Sequence, residues 1–336
     1  MKKILAYILV FVSVICIVSC NKSDDKKSEN VSENKNENID KSRVIDKPTF
    51  ESYISDGDAK LKAKRYKEAE EKYTAAINMN SKSLIAFNKR GLARTALRDY
   101  KGALEDFDKA MEIAPLNAEV LNYRGFAYYR MKDYKKALDD YNKAIELKDD
   151  YIAAFYNRAK LKIDTGDFDS AIDDLNRIIM KKSDANAYNL RGYAKYNQGR
   201  YNEAITDYTI ALELNKNHIE AYFNRGDARD KTKGYFGAIS DYTNVSRLDP
   251  KNIFAYMSRG MIKEKIKDYS GAVSDYSKAI EIGGDNGSIY YNRGIAKINM
   301  GLELEACADF KKSSDLGIRI DAKYREICAV NREMNL

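Results

Sequence analysis

The sequence predicts an all-α solenoid, in which helix-turn-helix repeats stack side by side along the chain. A small residue recurs eight times at spacings of 33 or 34 residues. An alanine follows each small residue after twelve positions, and an aromatic residue follows after nine positions in seven copies. With only three prolines in 336 residues, little interrupts long helices. The small residues are Gly57, Gly91, Gly125, Ala159, Gly192, Gly226, Gly260 and Gly294.

Each position of the pattern has a packing reason. The small residue on the first helix of a repeat, helix A, lets the second helix, helix B, approach closely. The alanine, Ala69 in repeat 1, serves the same contact from helix B, and aromatics such as Tyr73 fill the space between hairpins. Stacking is required because one hairpin cannot bury its apolar face alone. The predicted repeats are 50–83, 84–117, 118–151, 152–184, 185–218, 219–252, 253–286 and 287–320.

This pattern resembles the tetratricopeptide repeat (TPR) over residues 50–320. The resemblance implies a right-handed superhelix whose A helices line a concave surface, and a function in binding other proteins. Repeat 4 is one residue short, and the loop proline of the family is present only at Pro115 and Pro250. Residues 321–336 are predicted to form a capping helix, because the last hairpin otherwise exposes an apolar face.

The N-terminus has the layout of a lipoprotein signal peptide, predicted over residues 1–19. Two lysines precede an apolar run that ends at Val18 and is short for a membrane span. The end of this run resembles a bacterial lipobox, which implies lipidation of Cys20; an uncleaved anchor helix is the alternative. Residues 20–49 are rich in charge, Asn and Ser, and predict a flexible tether. We therefore expect an exported protein, lipid-anchored to the bacterial envelope membrane.

A charged pair recurs inside the repeat. In seven repeats an arginine precedes the small residue and an aspartate follows it after fifteen positions. Repeat 1 has the charges exchanged, as Asp56 and Lys72. This exchange predicts that the two side chains touch in each hairpin, with bidentate geometry where arginine is present. The predicted pairs are Arg90–Asp106, Arg124–Asp140, Arg158–Asp174, Arg191–Asp207, Arg225–Asp241, Arg259–Asp275 and Arg293–Asp309.

A second cation stands four residues after the arginine position in seven repeats, on the same face of helix A. One interpretation is a structural ion network in which two cations share one aspartate. The other is that spare cations bind an acidic partner.

Candidate binding residues lie on the A helices. An asparagine precedes the arginine by one or two residues in six repeats, similar to the asparagine ladder of some TPR superhelices that grips an extended peptide. Hydrogen bonding within the hairpins is the alternative role. Tyr129 and Tyr196 add aromatic contacts to this predicted groove. The asparagines are Asn88, Asn122, Asn157, Asn189, Asn224 and Asn292.

Catalytic chemistry has little support in the sequence. No phosphate loop, nucleophile elbow or metal-ligand motif is recognisable, so we expect no cofactor and no metal. The single histidine, His218, is predicted to be a solvated turn residue. Cys307 occupies an apolar position of the repeat, and is interpreted either as a buried apolar residue or as the disulfide partner of Cys328.

These observations favour a non-catalytic adaptor that binds partner proteins or extended peptides at a membrane. A self-associating structural envelope protein is the second hypothesis, and an enzyme or small-ligand receptor is the third. The net charge of +7 is mild for this length and does not indicate a nucleic-acid partner.

Overall fold

A computed structural model describes residues 48–283 and 285–333, and it describes side chains up to residue 330. The predicted signal peptide, Cys20 and nearly all of the predicted tether lie outside the described residues. Within the described ranges the only regular secondary structure is helical, with 17 α-helices and no strand, which confirms the all-α class. No helix in those ranges has the length and apolar character needed to cross a membrane.

Helices A and B alternate along the chain. The A helices are α1 (Phe50–Lys62), α3 (Leu84–Ala96), α5 (Ala118–Arg130), α7 (Ile152–Thr165), α9 (Ala185–Asn197), α11 (Ile219–Lys231), α13 (Ile253–Lys265) and α15 (Gly287–Ile298). The B helices are α2 (Tyr66–Met79), α4 (Tyr100–Ile113), α6 (Tyr134–Leu147), α8 (Phe168–Lys181), α10 (Tyr201–Leu214), α12 (Tyr235–Leu248), α14 (Tyr269–Glu281) and α16 (Glu303–Asp315). A last helix, α17 (Ala322–Glu333), follows α16.

The chain divides into two compact units, one ending at Asp164 and the other beginning at Thr165. In each unit consecutive helices pack on one another, as α3 does on both α2 and α4. Neighbouring A helices also meet directly, α3 with α5 in the first unit and α9 with α11 in the second. Each unit is therefore a row of hairpins in which A helices lie beside A helices.

The interior of a hairpin is built around the recurring small residue. In repeat 6, a Cβ added to Gly226 would lie 2.8 Å from Cε1 of Tyr242, so the ring occupies the space that a side chain would need. Ala238 on the same B helix is fully buried. The small residue and the alanine thus allow a fully buried aromatic ring to sit between two closely packed helices.

The turn between helices A and B requires a left-handed residue in all eight repeats. Glycine supplies this conformation in repeats 4, 5 and 8, but Lys64 has a φ of 60° and Lys233 has a φ of 62°. Such a conformation costs a non-glycine residue about 1 kcal/mol. The packing of the hairpin therefore fixes the turn even where the local sequence opposes it.

Helix α17 closes the C-terminal end of the second unit. Tyr324 of α17 stacks on Phe310 of α16 with ring centroids 4.8 Å apart. A disulfide joins Cys307 to Cys328, whose Cα atoms are 5.5 Å apart. Of the two interpretations of Cys307, the structure thus shows the bridged one, and the residue is half-buried rather than part of a purely apolar core.

The prediction for His218 is wrong. The residue is 7% exposed and caps the N-terminus of α11, where its Nδ1 accepts a hydrogen bond from the backbone N–H of Ala221 at 3.3 Å. Asn, Ser or Asp holds this capping position on other A helices, and an imidazole nitrogen accepts the same bond. Capping explains why a polar turn residue is buried.

Candidate functional site

The arginine and aspartate of the repeated pair lie in contact within single units in six repeats. The closest nitrogen–oxygen distances are between 2.5 and 2.8 Å. In repeat 6 both Arg225 and Asp241 are largely removed from water, with 13% and 1% of the side chains exposed. In repeat 1 the exchanged pair is 3.0 Å apart and more open, with Lys72 35% and Asp56 56% exposed. The predicted partners of repeat 4, Arg158 and Asp174, belong to different units.

The second cation of the A helix uses the same aspartate. Arg229 lies 2.7 Å from Asp241, and Lys195 lies 2.8 Å from Asp207. Arg94, Lys263 and Lys297 contact the corresponding aspartates of their repeats at 2.7 to 3.0 Å. These cations already have anionic partners, which favours the structural interpretation over the binding of an acidic partner.

The arginine also contacts the preceding repeat, a role that the sequence reasoning missed. Arg225 donates from Nη1 to Oγ1 of Thr209 at 3.1 Å, and Arg259 donates to Oγ1 of Thr243 at 3.0 Å. The acceptor stands seventeen residues after the small residue, where each of the first seven repeats carries Thr, Asn, Asp or Ser. The recurrence of a hydrogen-bond acceptor at this position was the feature of the sequence that could have predicted the contact. The arginine therefore joins its own hairpin to the previous one.

Four of the six predicted groove asparagines pair with each other between neighbouring repeats. Asn157 donates to Oδ1 of Asn122 at 2.9 Å, and Asn224 donates to Oδ1 of Asn189 at 3.1 Å. Asn122 is fully buried and Asn189 is 9% exposed. These amides therefore link adjacent A helices, and the exposed part of each pair is Asn157 or Asn224, which are half-buried.

The remaining predicted groove residues have separate environments. Asn88 is 4% exposed and its Oδ1 has no hydrogen-bond partner, whereas Asn292 is half-buried. The hydroxyl of Tyr129 donates to Asp164 of the next A helix. Tyr196 is half-buried and packs edge-on against Tyr201, with centroids 5.2 Å apart. Their role in binding a peptide stays a prediction.

A row of tyrosine hydroxyls was not foreseen. The ring of the buried tyrosine on helix B packs against the small residue of helix A, and its hydroxyl reaches the residue that follows the small residue. The Tyr73 hydroxyl donates to Asp58 at 2.8 Å, and the Tyr242 hydroxyl donates to Asp227 at 2.6 Å. In both repeats the aspartate immediately follows the glycine, so the pair is visible in the sequence once the geometry is known.

Polar pairs also connect neighbouring A helices at this level. Lys89 lies 2.6 Å from Oδ1 of Asp58, and Lys265 lies 2.5 Å from Asp230. We call the surface that carries these groups the A-face. In the first unit the A-face includes Asp58, Lys89, Tyr129, Lys160 and Asp164. In the second unit it includes Tyr196, Asp227, Asp230, Glu264 and Lys265.

Two acids of the A-face have a raised pKa, and burial is the main cause for both. Burial raises the pKa of Asp227 to about 6, against the hydrogen bond from Tyr242, which lowers it; the charge of Asp230 adds a smaller rise. Burial also raises the pKa of Glu264, whose Oε1 has no hydrogen-bond partner. In the repeated pair, burial likewise raises the pKa of Asp106, against the hydrogen bonds and charges of Arg90 and Arg94, and the hydrogen bond that Arg124 donates to Asp140 raises the pKa of that arginine. Among the described residues, no group of three or more His, Cys, Asp or Glu side chains is placed to hold a metal ion.

Comparison with protein families agrees with this architecture. Models described as tetratricopeptide repeat match residues 56–118, 118–151 and 255–285, and a model described as TPR repeat matches residues 192–232. The chain belongs to the tetratricopeptide repeat family. The TPR positions Gly226, Ala238 and Tyr242 are the ones that form the hairpin interior described above.

Solved structures share the TPR solenoid fold. A tetratricopeptide repeat protein from Parabacteroides merdae is 21% identical, with 73% of this chain and 96% of that chain covered and a TM-score of 0.53. The C-terminal part of a TPR repeat-containing protein from Cytophaga hutchinsonii is 17% identical, with 71% and 98% covered and a TM-score of 0.55. At these identities the likeness is one of fold. No curated protein sequence matches this chain.

Proposed function

We propose that this TPR protein is a membrane-anchored adaptor that binds an extended segment of a partner protein on its A-face. The observation that carries the proposal is a division of labour among its charges. The Arg–Asp pairs recur in nearly every repeat, and their charged groups already have partners inside the hairpins. The A-face groups differ from repeat to repeat. Residues that vary while the scaffold stays constant are suited to recognising one particular sequence.

The chemistry of the A-face supports a peptide ligand. Half-buried amides, carboxylates and tyrosines such as Asn224, Asp227 and Tyr196 stand on adjacent A helices, within reach of one extended strand. Aromatic side chains bury large areas at low conformational cost and are frequent at the centres of protein interfaces. A catalytic role would need a nucleophile with its base, or a metal cluster, and the A-face geometry supports neither as well as it supports binding.

The partner test compares an A-face aromatic with an exposed aromatic on helix B of the same unit. Tyr196→Ala is expected to lower the recovery of crosslinked partners from envelopes about tenfold, as hot-spot aromatics do. Phe236, which is 79% exposed on α12, is the matched control, and Phe236→Ala should leave recovery unchanged. Circular dichroism checks that both variants fold. Equal recovery from the two variants would place binding elsewhere, and a loss only with Phe236→Ala would favour self-association through helix B.

The anchor is tested separately. Cys20→Ala is expected to abolish incorporation of labelled lipid into the protein and to release it from the membrane fraction. Cys16→Ala is the matched control and should retain the label, because the residue before Cys16 is the bulky Ile15. Labelling that persists in Cys20→Ala would contradict the anchor without affecting the binding proposal.

A further inference from the structure

We propose that Asp227 is a receptor for one cationic side chain, a lysine of the bound partner segment, whose ammonium completes a charge pair that this chain leaves open. The inference rests on the proposed binding function and specifies its chemistry at one position. It follows from comparing two copies of the same arrangement within the molecule.

Repeat 1 contains the completed arrangement. Asp58 follows the glycine, accepts a hydrogen bond from Tyr73 at 2.8 Å, and holds the ammonium of Lys89 with its Oδ1 at 2.6 Å. Lys89 belongs to the A helix of the next repeat and immediately precedes the arginine of the repeated pair. The geometry that binds a lysine to an A-face carboxylate is thus present in this chain.

Repeat 6 contains the same arrangement without the cation. Asp227 follows the glycine and accepts a hydrogen bond from Tyr242 at 2.6 Å. The position that corresponds to Lys89 is Ser258, whose side chain carries no charge. Lys265 of the next A helix pairs with Asp230 at 2.5 Å. Asp227 is therefore a half-buried carboxylate with one neutral donor. The charge of Lys231 on its own helix lowers its pKa slightly, but no described cation forms an ion pair with it.

A second observation points to a ligand at the same place. Tyr208 is fully buried, and its hydroxyl has no hydrogen-bond partner. After burial, the charge of Asp227 is the largest influence that raises the pKa of Tyr208, so the carboxylate and this hydroxyl interact electrostatically. A buried hydroxyl without a hydrogen-bond partner destabilises the fold. An ammonium that binds here would pair with the Asp227 carboxylate and would bring a hydrogen-bond donor to the site that contains the Tyr208 hydroxyl.

The surroundings select a cation. Burial opposes the ionised form of Asp227, and its pKa of about 6 leaves it charged at neutral pH, so a paired cation gains more here than on an exposed surface. After burial, the charge of Asp227 is also the largest influence that raises the pKa of Tyr196. Lys89 likewise pairs with a carboxylate that accepts a hydrogen bond from a tyrosine. A second carboxylate or an apolar side chain would gain nothing there.

The experiment uses the full chain and synthetic decapeptide pools. One pool has lysine fixed at the fifth position and mixed residues elsewhere; matched pools carry arginine or norleucine at that position. Retention on the immobilised protein is quantified by mass spectrometry. Wild type should retain the lysine pool about tenfold more than the norleucine pool, the advantage of one charge-assisted hydrogen bond. The arginine pool shows whether the site distinguishes an ammonium from a guanidinium.

Two substitutions and one control assign the preference to this site. Ser258→Lys supplies the cation from within, as repeat 1 does, and should reduce the lysine-to-norleucine ratio to about one while the protein stays folded. Asp227→Asn should do the same by removing the charge. Asp58→Asn, in which the carboxylate of repeat 1 is altered, should keep the tenfold ratio. A ratio that survives both Ser258→Lys and Asp227→Asn would overturn the inference.

A separate measurement distinguishes this inference from the proposed function. Titration of n-butylammonium chloride, followed by the carboxyl carbon signal of Asp227 in labelled protein, should lower the apparent pKa of Asp227 in wild type and leave it unchanged in Ser258→Lys. If no peptide pool is retained but the titration behaves in this way, the binding proposal fails and the cation site stands. A flat titration in wild type overturns the site whatever the peptides do.

Discussion

Repeats 1 and 6 share a glycine, a buried tyrosine and an aspartate on the A-face. They differ in which of their charged groups are buried and which form ion pairs. In repeat 1 the pair inside the hairpin, Asp56 and Lys72, is open to water, and the A-face aspartate has its own lysine. In repeat 6 the corresponding hairpin pair is buried and carries two arginines, and the A-face aspartate has no cation. In repeat 6 the charged groups inside the hairpin are therefore paired, whereas the A-face aspartate has no ion pair.

The difference follows from position in the array. The A helix of an interior repeat is covered on both sides by neighbouring hairpins, so an ion pair there loses contact with water and must be satisfied completely. The first hairpin has no preceding repeat among the described residues to cover it, and its ions stay solvated. We therefore expect the ion pair at these positions to contribute more to stability in repeat 6 than in repeat 1.

The largest expected effect tests this contrast in burial. Asp241→Ala leaves Arg225 and Arg229 without their anion in a buried site, and should lower the free energy of unfolding by about 3–5 kcal/mol. Asp56→Ala breaks the corresponding exposed pair and should cost about 0–1 kcal/mol. Urea denaturation followed by circular dichroism measures both. Equal losses would show that position in the array does not govern these pairs.

The second prediction concerns what the two repeats share. Gly226→Ala places a Cβ against Tyr242 and should lower the free energy of unfolding by about 1–3 kcal/mol. Repeat 4 combines Ala159 with Leu175 at the same two positions, so a smaller residue on helix B accommodates the alanine on helix A. Adding Tyr242→Leu should therefore cost less than the sum of the two single changes. Strict additivity in this double-mutant cycle would argue against a direct clash.

The third prediction has opposite signs in the two repeats. Because the folded-state pKa of Asp227 is about 6 and its usual value is 3.8, folding favours the protonated form, and the ionised carboxylate destabilises the fold at higher pH. Asp227→Asn should therefore raise the free energy of unfolding by about 1–3 kcal/mol at pH 8. Asp58→Asn should lower it by about 0–1 kcal/mol, because Lys89 loses the partner of a partly exposed ion pair.

The pH dependence checks the sign. The groups around Asp227 are the hydroxyls of Tyr242, Tyr208 and Tyr196 and the charges of Asp230 and Lys231. The tyrosines do not titrate near pH 6, because burial raises the pKa of each. The advantage of Asp227→Asn should be complete above pH 7 and should shrink as the pH falls through 6 toward 4. An advantage that is constant from pH 8 to 5 would contradict an elevated pKa.

The smallest expected effect comes from a substitution that gives the A-face aspartate of repeat 1 the same neighbour as Asp227 of repeat 6. Lys89→Ser removes a partly exposed ion pair and should cost about 0–1 kcal/mol of unfolding free energy. The variant should nevertheless acquire a response of the Asp58 carboxyl signal to n-butylammonium that wild type lacks. A silent Asp58 in this variant would mean that the two aspartates are not equivalent.

The sequence was sufficient for features that every repeat shares. The 34-residue period predicted the alternation of helices, and the exchanged charges of Asp56 and Lys72 predicted a contact between columns sixteen residues apart. The repeat pattern did not pair Asn157 with Asn122, because the two asparagines occupy columns that differ by one position and belong to different repeats. Nor could it show contacts made by one repeat alone, such as the cap at His218.

The disulfide between Cys307 and Cys328 sets the direction in which the array can come apart. Repeat arrays lose structure from their ends, because a terminal repeat has only one neighbour. At the C-terminus, α17 is covalently tied to α16, and in the unfolded chain the closed loop of 21 residues restricts the separation of these helices. Repeat 1 has no such clamp, and its ions are solvated. Under mechanical tension or attack by a protease we expect unzipping to begin at α1 and proceed toward the C-terminus.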